Sequence, residues 1–195
     1  MKKSLVLFLI LLLVGFVAYK VAKKVNLNTN YKVGQPLDSL NHVIVYYNGG
    51  VDNNAGRNMA PDGYNIGIKY QCVEFVKRYY YQYLNHKMPD THGHAKNFFN
   101  DALADSTLNP ARNLMQYTNG SKAKPMPNDL LVFSGSLFNR YGHVAIISSV
   151  TQNQIEIIQQ NPGPFGTSRE TISLINSNNK WTIDNSRVLG WLRKQ

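Results

Sequence analysis

The N-terminus of the chain has two lysines, Lys2 and Lys3, and an uninterrupted apolar run comes after them. Residues 4–19 carry no charge and are nearly all Leu, Val, Ile and Phe. As a helix this run rises about 24 Å, slightly less than the ~30 Å hydrocarbon layer of a bilayer, and flanking lysines extend its reach. No small-residue cleavage pattern comes after it. We therefore predict an N-terminal membrane anchor or signal-like segment over residues 1–25, with a removed signal peptide as the alternative.

The charges around this segment are almost balanced. Lys2 and Lys3 precede the apolar run, and Lys20, Lys23 and Lys24 come after it, so the positive-inside rule is nearly tied. We expect the rest of the chain to lie outside the cytoplasm, in a periplasm or at a cell surface, because short N-terminal anchors of this kind usually export the domain attached to them. If the segment is cleaved, the protein is secreted.

Beyond the anchor, the pattern changes from apolar to mixed. Residues 26–38 are polar, contain Gly34 and Pro36, and indicate a linker. Residues 42–47 are β-branched and aromatic, which predicts a strand. Residues 48–65 are dense in Gly, Asn and Asp, which is typical of a loop. We place one domain over residues 39–195.

The longest amphipathic pattern in this domain covers residues 71–84. Its apolar positions are 72, 75, 76, 79, 80 and 83, which form one face of a helix. A second helix is predicted over residues 95–103. Strands are then predicted over residues 130–133, 143–150, 155–161 and 188–192, with the middle two forming an antiparallel hairpin. Helices followed by strands indicate an α+β domain, with the helices packed on an antiparallel sheet.

Composition narrows the function classes. The chain of 195 residues has 21 Lys plus Arg, 11 Asp plus Glu, and a single cysteine. Five of the lysines lie in the first 24 residues, so the rest of the chain carries only 10 − 5 = +5. That excess is too small to indicate nucleic-acid binding. One cysteine excludes an internal disulfide and a cysteine-based zinc cluster.

Cys72 and His143 are the candidates for nucleophilic chemistry. Cys72 opens the long predicted helix, where free backbone N–H groups and the helix dipole favour a thiolate, so we expect a lowered thiol pKa. Such a nucleophile needs a base, and His143 begins a predicted strand. The alternative role for Cys72 is an inert buried side chain.

A third group would orient the imidazole, and the strand after His143 offers Gln159 and Asn161. Directly opposed residues in an antiparallel hairpin have a constant index sum. A sum of 304 puts His143 opposite Asn161, and a sum of 302 puts it opposite Gln159. Either even sum places all three side chains on one face, whereas an odd sum separates them.

Four stretches resemble, in family order, motifs of the CHAP family of cysteine, histidine-dependent amidohydrolases and peptidases. They are GIKYQCVEFVKR at 67–78, GHVAII at 142–147, QQN at 159–161 and LGW at 189–191. The resemblance covers roughly residues 40–193 and is strongest to the amidase domains that act on glutathionylspermidine. It implies a papain-like fold, no metal or other cofactor, and an amide or peptide substrate.

By matching position, the resemblance makes Cys72 the nucleophile, His143 the general base and Gln71 an oxyanion-hole side chain. The third position departs from the family pattern, which commonly has Glu-x-Asn where this chain has Gln159-Gln160-Asn161. Glutamine accepts a hydrogen bond from the imidazole but supplies no negative charge. Asn161 is the alternative orienting residue.

Two substrate classes are consistent with these observations. The resemblance favours a glutathionyl-polyamine amide, and the N-terminal segment favours peptidoglycan peptides. A third hypothesis is a catalytically weak relative that binds a wall peptide. The alternating potential ligands of Asp90-Thr91-His92-Gly93-His94 lack an evident fourth ligand, so we predict no metal site there.

Overall fold

The structure is a computed structural model that describes residues 2–136 and 139–195, without the side chain of Lys2. Its helices are α1 (Lys2–Ala22) and α2 (Cys72–Gln82), with a 3-10 turn at Ala95–Phe98. The strands are β1 (Pro36–Leu40), β2 (Val43–Tyr46), β3 (Arg57–Met59), β4 (Asn65–Ile68), β5 (Thr107–Asn109), β6 (Leu114–Thr118), β7 (Leu130–Phe133), β8 (His143–Val150), β9 (Gln154–Ile158), β10 (Arg169–Ser177), β11 (Lys180–Ile183) and β12 (Val188–Arg193).

An antiparallel sheet of eight strands forms the centre of the domain. Its spatial order is β11-β10-β9-β8-β7-β12-β6-β5. Alternate residues of the central strands face α2, so Leu130, Val132, Val144 and Ile146 pack with the apolar side of the helix. This confirms the α+β class and the predicted packing of a helix on an antiparallel sheet.

The other face of the sheet encloses a second apolar cluster that includes Leu131, Ala145, Ile157 and Trp191. A bridge between Ser121 and Trp181 joins the segment after β6 to β11, the strand at the opposite edge of the sheet. The sheet therefore curls on itself and closes over this cluster.

Several predicted elements are confirmed. The amphipathic helix appears as α2 with Phe75, Val76, Tyr79 and Tyr80 fully buried. The predicted strands at 130–133 and 143–150 have the bounds of β7 and β8, and β8 pairs with β9 as an antiparallel hairpin. The last predicted strand corresponds to β12.

Two local predictions were wrong. The helix expected over residues 95–103 is only a 3-10 turn that ends as Phe99 becomes extended, with φ −94° and ψ 139°. The next backbone N–H, that of Asn100, bonds to the Gln116 side chain at 2.9 Å, so a tertiary partner replaces the helical one. The loop expected over residues 48–65 contains β3 and the first residue of β4, which pair as a short hairpin.

The predicted linker also differs from a free tether. We use the name strap for residues 23–35, which lie on the domain through specific hydrogen bonds. The Gly34 N–H donates to the Tyr47 carbonyl at 2.8 Å, the Tyr47 N–H donates to the Gln35 carbonyl at 2.9 Å, and the Tyr47 hydroxyl donates to Asn26 Oδ1 at 2.7 Å. The last predicted linker residues belong to β1, which pairs with β2.

Helix α1 leads into the strap and is apolar on all sides. Over Lys3–Ala22 its mean hydropathy is 2.7, and none of the apolar window is buried by the described part of the chain. By length and composition it is able to be a membrane span or a signal sequence.

Candidate active site

Cys72 is held at the start of α2 by a sharp change of chain direction. Tyr70 adopts the left-handed conformation (φ 67°), Gln71 is extended, and the helix begins at Cys72. This geometry places the thiol at the end of α2 that faces β8. A backbone hydrogen bond from Val144 reaches the thiol, so the sulfur lies beside the residue that comes after His143.

His143 begins β8 directly after a glycine whose conformation positions the strand. Gly142 has φ 78°, and a Cβ there would lie 2.5 Å from the Phe133 carbonyl oxygen. His143 pairs with Phe133 on β7, and its side chain is buried. The two predicted catalytic residues therefore lie at the start of one helix and at the start of one strand, with the Cys72 thiol next to Val144 of that strand.

Gln159 supplies the third position. Its Oε1 lies 2.8 Å from His143 Nε2. The Gln159 amide nitrogen donates to the Thr167 carbonyl at 3.2 Å and to Glu170 Oε2 at 3.3 Å, which keeps Oε1 turned towards the imidazole. Nε2 must then carry the ring proton, and Nδ1 is left as the acceptor nitrogen.

Asn161 has a different place from the one that its strand parity predicts. Near the site Ile146 pairs with Ile158, which gives the even sum of 304. However, β9 ends at Ile158, and Asn161 turns away with φ 57°. Its amide nitrogen donates to Gln71 Oε1 at 2.7 Å and to the Val51 carbonyl at 3.0 Å, rather than to His143.

Gln71 lies at the site with its amide hydrogens engaged. Nε2 donates to the Val51 carbonyl at 3.1 Å and to the Asn53 carbonyl at 2.7 Å. The backbone N–H of Cys72, the first residue of α2, has no acceptor within its own helix. The Cys72 backbone N–H is therefore the more available donor for an oxyanion. Gln71 Nε2 must first break its hydrogen bond to the Val51 or the Asn53 carbonyl before it can donate to an oxyanion.

Burial is the largest influence on the pKa values of both groups. Desolvation raises the pKa of the Cys72 thiol to about 11, against opposing backbone hydrogen bonds. Desolvation also lowers the pKa of His143 to about 4, although the Gln159 hydrogen bond acts in the other direction. The expectation of a lowered thiol pKa was wrong, and at neutral pH the pair consists of a neutral thiol and a neutral imidazole.

A buried polar network behind the site escaped the sequence analysis. The Glu74 carboxylate pairs with Arg78 Nε at 2.6 Å and accepts from Gln160 Nε2 at 2.8 Å. Gln160 Nε2 also donates to the Gln71 carbonyl at 3.0 Å, and Gln160 Oε1 accepts from the Tyr46 N–H at 2.8 Å. This network joins the start of α2 to the segment that carries Gln159. The i, i+4 Glu–Arg pair in this amphipathic helix was the available signal.

A cleft of about 680 Å³ opens above Cys72, and its lining includes Gln71 and Asn161. Within the described lining, the charged side chains are Lys24, Arg57 and Asp52, besides two histidines. Asp52 is paired with Lys23 at 3.0 Å, which leaves the cleft with a cationic excess.

The segment at residues 90–94 forms one wall of this cleft and is held through its backbone. Lys77 Nζ donates to the Thr91 carbonyl at 3.0 Å, and Arg112 donates to the Asp90 carbonyl at 2.6 Å. In the part of the chain that the structure describes, no group of three His, Cys, Asp or Glu side chains is placed to hold a metal ion.

Comparison with known proteins agrees with this geometry. The family model of the CHAP domain matches residues 61–161, which include Cys72, His143 and Gln159. This chain belongs to the CHAP family. Bifunctional glutathionylspermidine synthetase/amidase of Escherichia coli is 32% identical over 149 residues, and trypanothione synthetase of Crithidia fasciculata is 29% identical over 120 residues.

These relatives are much longer proteins. The alignments cover 70% and 62% of this chain but only 23% and 18% of the E. coli and Crithidia proteins. Among solved structures, that of Ly7917 aligns with 52% of this chain and 38% of its own at 21% identity, with a TM-score of 0.33. Family membership and the amidase relatives support amidohydrolase or peptidase activity for this CHAP domain.

Proposed function

We propose that this CHAP protein is a cysteine amidohydrolase in which Cys72 attacks an amide carbonyl and His143 acts as general base and then general acid. The proposal is supported by the position of the Cys72 thiol beside Val144, the residue after His143, and by the 2.8 Å hydrogen bond from His143 Nε2 to Gln159 Oε1. That bond leaves Nδ1 as the nitrogen that receives the thiol proton.

The reaction begins from the neutral pair. As the Cys72 sulfur bonds to the carbonyl carbon, its proton moves to His143 Nδ1, and the carbonyl oxygen becomes an oxyanion near the Cys72 backbone N–H. Collapse breaks the C–N bond, and His143 returns the proton to the leaving amine. Water, deprotonated by His143, then hydrolyses the thioester to the free acid and restores the thiol.

The charge of the cleft favours one of the two substrate classes. A cationic excess from Lys24 and Arg57 attracts free carboxylates, which peptidoglycan peptides carry, and repels the cationic polyamine of a glutathionyl-polyamine. We therefore propose a cell-wall peptide amide as substrate, cleaved outside the cytoplasm by a protein that α1 anchors in the membrane.

A binding module for the same peptides is the second candidate, because Gln159 gives the imidazole no negative partner. To test both, the full chain in detergent would be incubated separately with purified peptidoglycan and with glutathionylspermidine, with Cys72→Ala as control. We expect new free amino groups from peptidoglycan only. Release only from glutathionylspermidine would overturn the substrate, and binding without release in either sample would establish the binding module.

A further inference from the structure

The membrane-anchor segment joins the domain without a flexible connection. The last turn of α1 continues through hydrogen bonds from the Lys24 and Val25 N–H groups to the Val21 carbonyl, at 2.9 and 3.1 Å. The next contact already belongs to the domain, since the Asp52 N–H donates to the Lys23 carbonyl at 2.9 Å. Lys23 Nζ also pairs with Asp52 Oδ2 at 3.0 Å.

Close backbone packing reinforces this junction. Gly50 is buried directly beneath the strap, and a Cβ at this position would lie 2.5 Å from the Lys23 carbonyl oxygen and 2.8 Å from the Val25 carbonyl oxygen. Only a residue without a side chain allows this approach. The end of α1 is therefore held against the loop that carries Asp52.

The same junction borders the catalytic cleft. Lys24 and Asp52 line one cavity of about 680 Å³ together with Cys72. A sphere of that volume is roughly 11 Å across. This width is of the same order as the depth of the headgroup layer on each side of a bilayer, which is about 5–8 Å. If α1 spans a membrane, Cys72 lies about one cavity width from the membrane boundary.

Exposed apolar side chains lie along the strap and on the loop that contacts it. We use the name strap patch for Val25, Leu27, Tyr31, Val33 and Phe165. Phe165 is 71% exposed, and its loop is tied to the strap by a hydrogen bond from the Asn28 amide to the Pro164 carbonyl at 3.0 Å. Apolar and aromatic side chains close in sequence to Lys20 and Lys24 suit an interface with anionic lipid headgroups.

We infer that the strap patch rests on the membrane surface and that the cleft opens there, so that the enzyme acts on peptide amides that are themselves attached to the membrane. This inference rests on the proposed amidase and its anchor. It narrows the substrate class from wall peptides in general to lipid-linked ones.

The first test measures position and needs no turnover. In a Cys72→Ala, Asn54→Cys variant the single cysteine lies at an exposed position in the cleft lining, so a small fluorophore can be attached to it alone in the full chain, reconstituted in phosphatidylethanolamine–phosphatidylglycerol vesicles. We expect strong quenching by lipids with nitroxide-labelled headgroups. As control, the label is moved to the far end of β10 in a Cys72→Ala, Ser177→Cys variant, where quenching should be weak. Equal quenching at both sites would overturn the inference.

The second test measures preference. The same wall peptide is offered free in solution and linked to a lipid in those vesicles. We expect kcat/KM for the lipid-linked form to be higher by on the order of tenfold or more, because both partners are confined to one surface. Phe165→Ser should reduce this preference and leave turnover of the free peptide unchanged. Leu108→Ser, which alters an exposed apolar residue on β5, should change neither.

The outcomes separate the two proposals. Equal kcat/KM for both forms, together with an unquenched label, would overturn the membrane-surface inference and leave the amidase intact. Cleavage of neither form would overturn the proposed amidase, while quenching of the label in the cleft would still report where the cleft lies.

Discussion

At the residue scale, an amide occupies the position where CHAP proteins commonly have a carboxylate. Gln159 accepts a hydrogen bond from His143 and donates one to Glu170 Oε2 at 3.3 Å. The Gln159 amide therefore separates the Glu170 carboxylate from the imidazole. Glu170 thereby fixes the orientation of the Gln159 amide. We regard it as a positioning residue rather than a catalytic one.

Moving this carboxylate tests the arrangement. In a Gln159→Glu, Glu170→Gln double variant, a carboxylate faces His143 and receives a hydrogen bond from the new amide. Since a neighbouring negative charge favours the imidazolium, the pKa of His143 should rise above its value of about 4. The acid limb of the pH profile of kcat/KM should shift to higher pH by the same amount.

Single variants provide the controls. Gln159→Glu alone places two carboxylates side by side, so we expect a smaller shift than in the double variant. Gln159→Ala should lower kcat/KM at least about tenfold by releasing the imidazole. If Asn161→Ala reproduces that loss and Gln159→Ala does not, Asn161 is the orienting residue.

The thiol offers a second measurement at this scale. Because burial raises the pKa of Cys72 to about 11, its alkylation by iodoacetamide should be slow at pH 7 and should accelerate up to strongly alkaline pH. Cys72→Ala, which leaves no cysteine, gives the background. A plateau of fast alkylation between about pH 5 and 8 would instead reveal a thiolate–imidazolium pair, contrary to the neutral pair described above.

At the element scale, the start of α2 depends on the buried Glu74–Arg78 pair. Glu74→Ala would leave the Arg78 guanidinium buried without its counter-charge and free a donor on Gln160. We expect the free energy of unfolding to fall by about 3–5 kcal/mol, as for other buried pairs broken on one side. Urea unfolding, followed by the fluorescence of buried Trp191, measures the change.

An exposed ion pair is the matched control. Asp62 and Lys87 pair at 2.5 Å, but their side chains are 39% and 54% exposed. Lys87→Ala should therefore lower the free energy of unfolding far less than Glu74→Ala does. Similar losses in the two variants would mean that the Glu74 network does not stabilise the helix start.

At the scale of the whole molecule, stability should depend on His143. Its pKa is lowered to about 4 by burial, whereas the unfolded chain has the ordinary value of 6.5. Between these values the unfolded state binds the extra proton, so stability is full above pH 6.5 and decreases as the pH falls towards 4. The difference amounts to about 3 kcal/mol. Urea unfolding at both ends of this range tests it, and His143→Gln should remove that part of the pH dependence.

The N-terminal helix gives the other prediction at this scale. If α1 is an uncleaved anchor, the full-length protein should remain in the membrane fraction after salt and carbonate washes, and its mature N-terminus should still include residues 4–19. Detergent should release it. N-terminal sequencing of a soluble form that begins near residues 19–30 would show a cleaved signal instead.

Local patterns in the sequence were enough to identify the elements that carry the chemistry. Apolar spacing predicted α2, β7, β8 and the hairpin of β8 with β9. In each of these elements the apolar residues recur at the spacing of the buried face, so the sequence alone indicates the element. The same patterns placed Cys72 and His143 at the start of a helix and of a strand, and the resemblance to CHAP motifs gave these residues their proposed roles. The even hairpin register was also among the predicted ones.

Only the tertiary structure decided how the surrounding groups are used. Gln159 rather than Asn161 meets His143, because β9 ends at Ile158 and Asn161 turns towards Gln71 and Val51. The thiol pKa rises because packing against the sheet excludes water, and the backbone hydrogen bonds to the thiol do not offset that desolvation. The strap lies on the domain because its partners, such as Tyr47 and Pro164, come from distant parts of the chain. Periodicity within one element records which face is buried, but the partner of a polar group is selected when separate elements pack together.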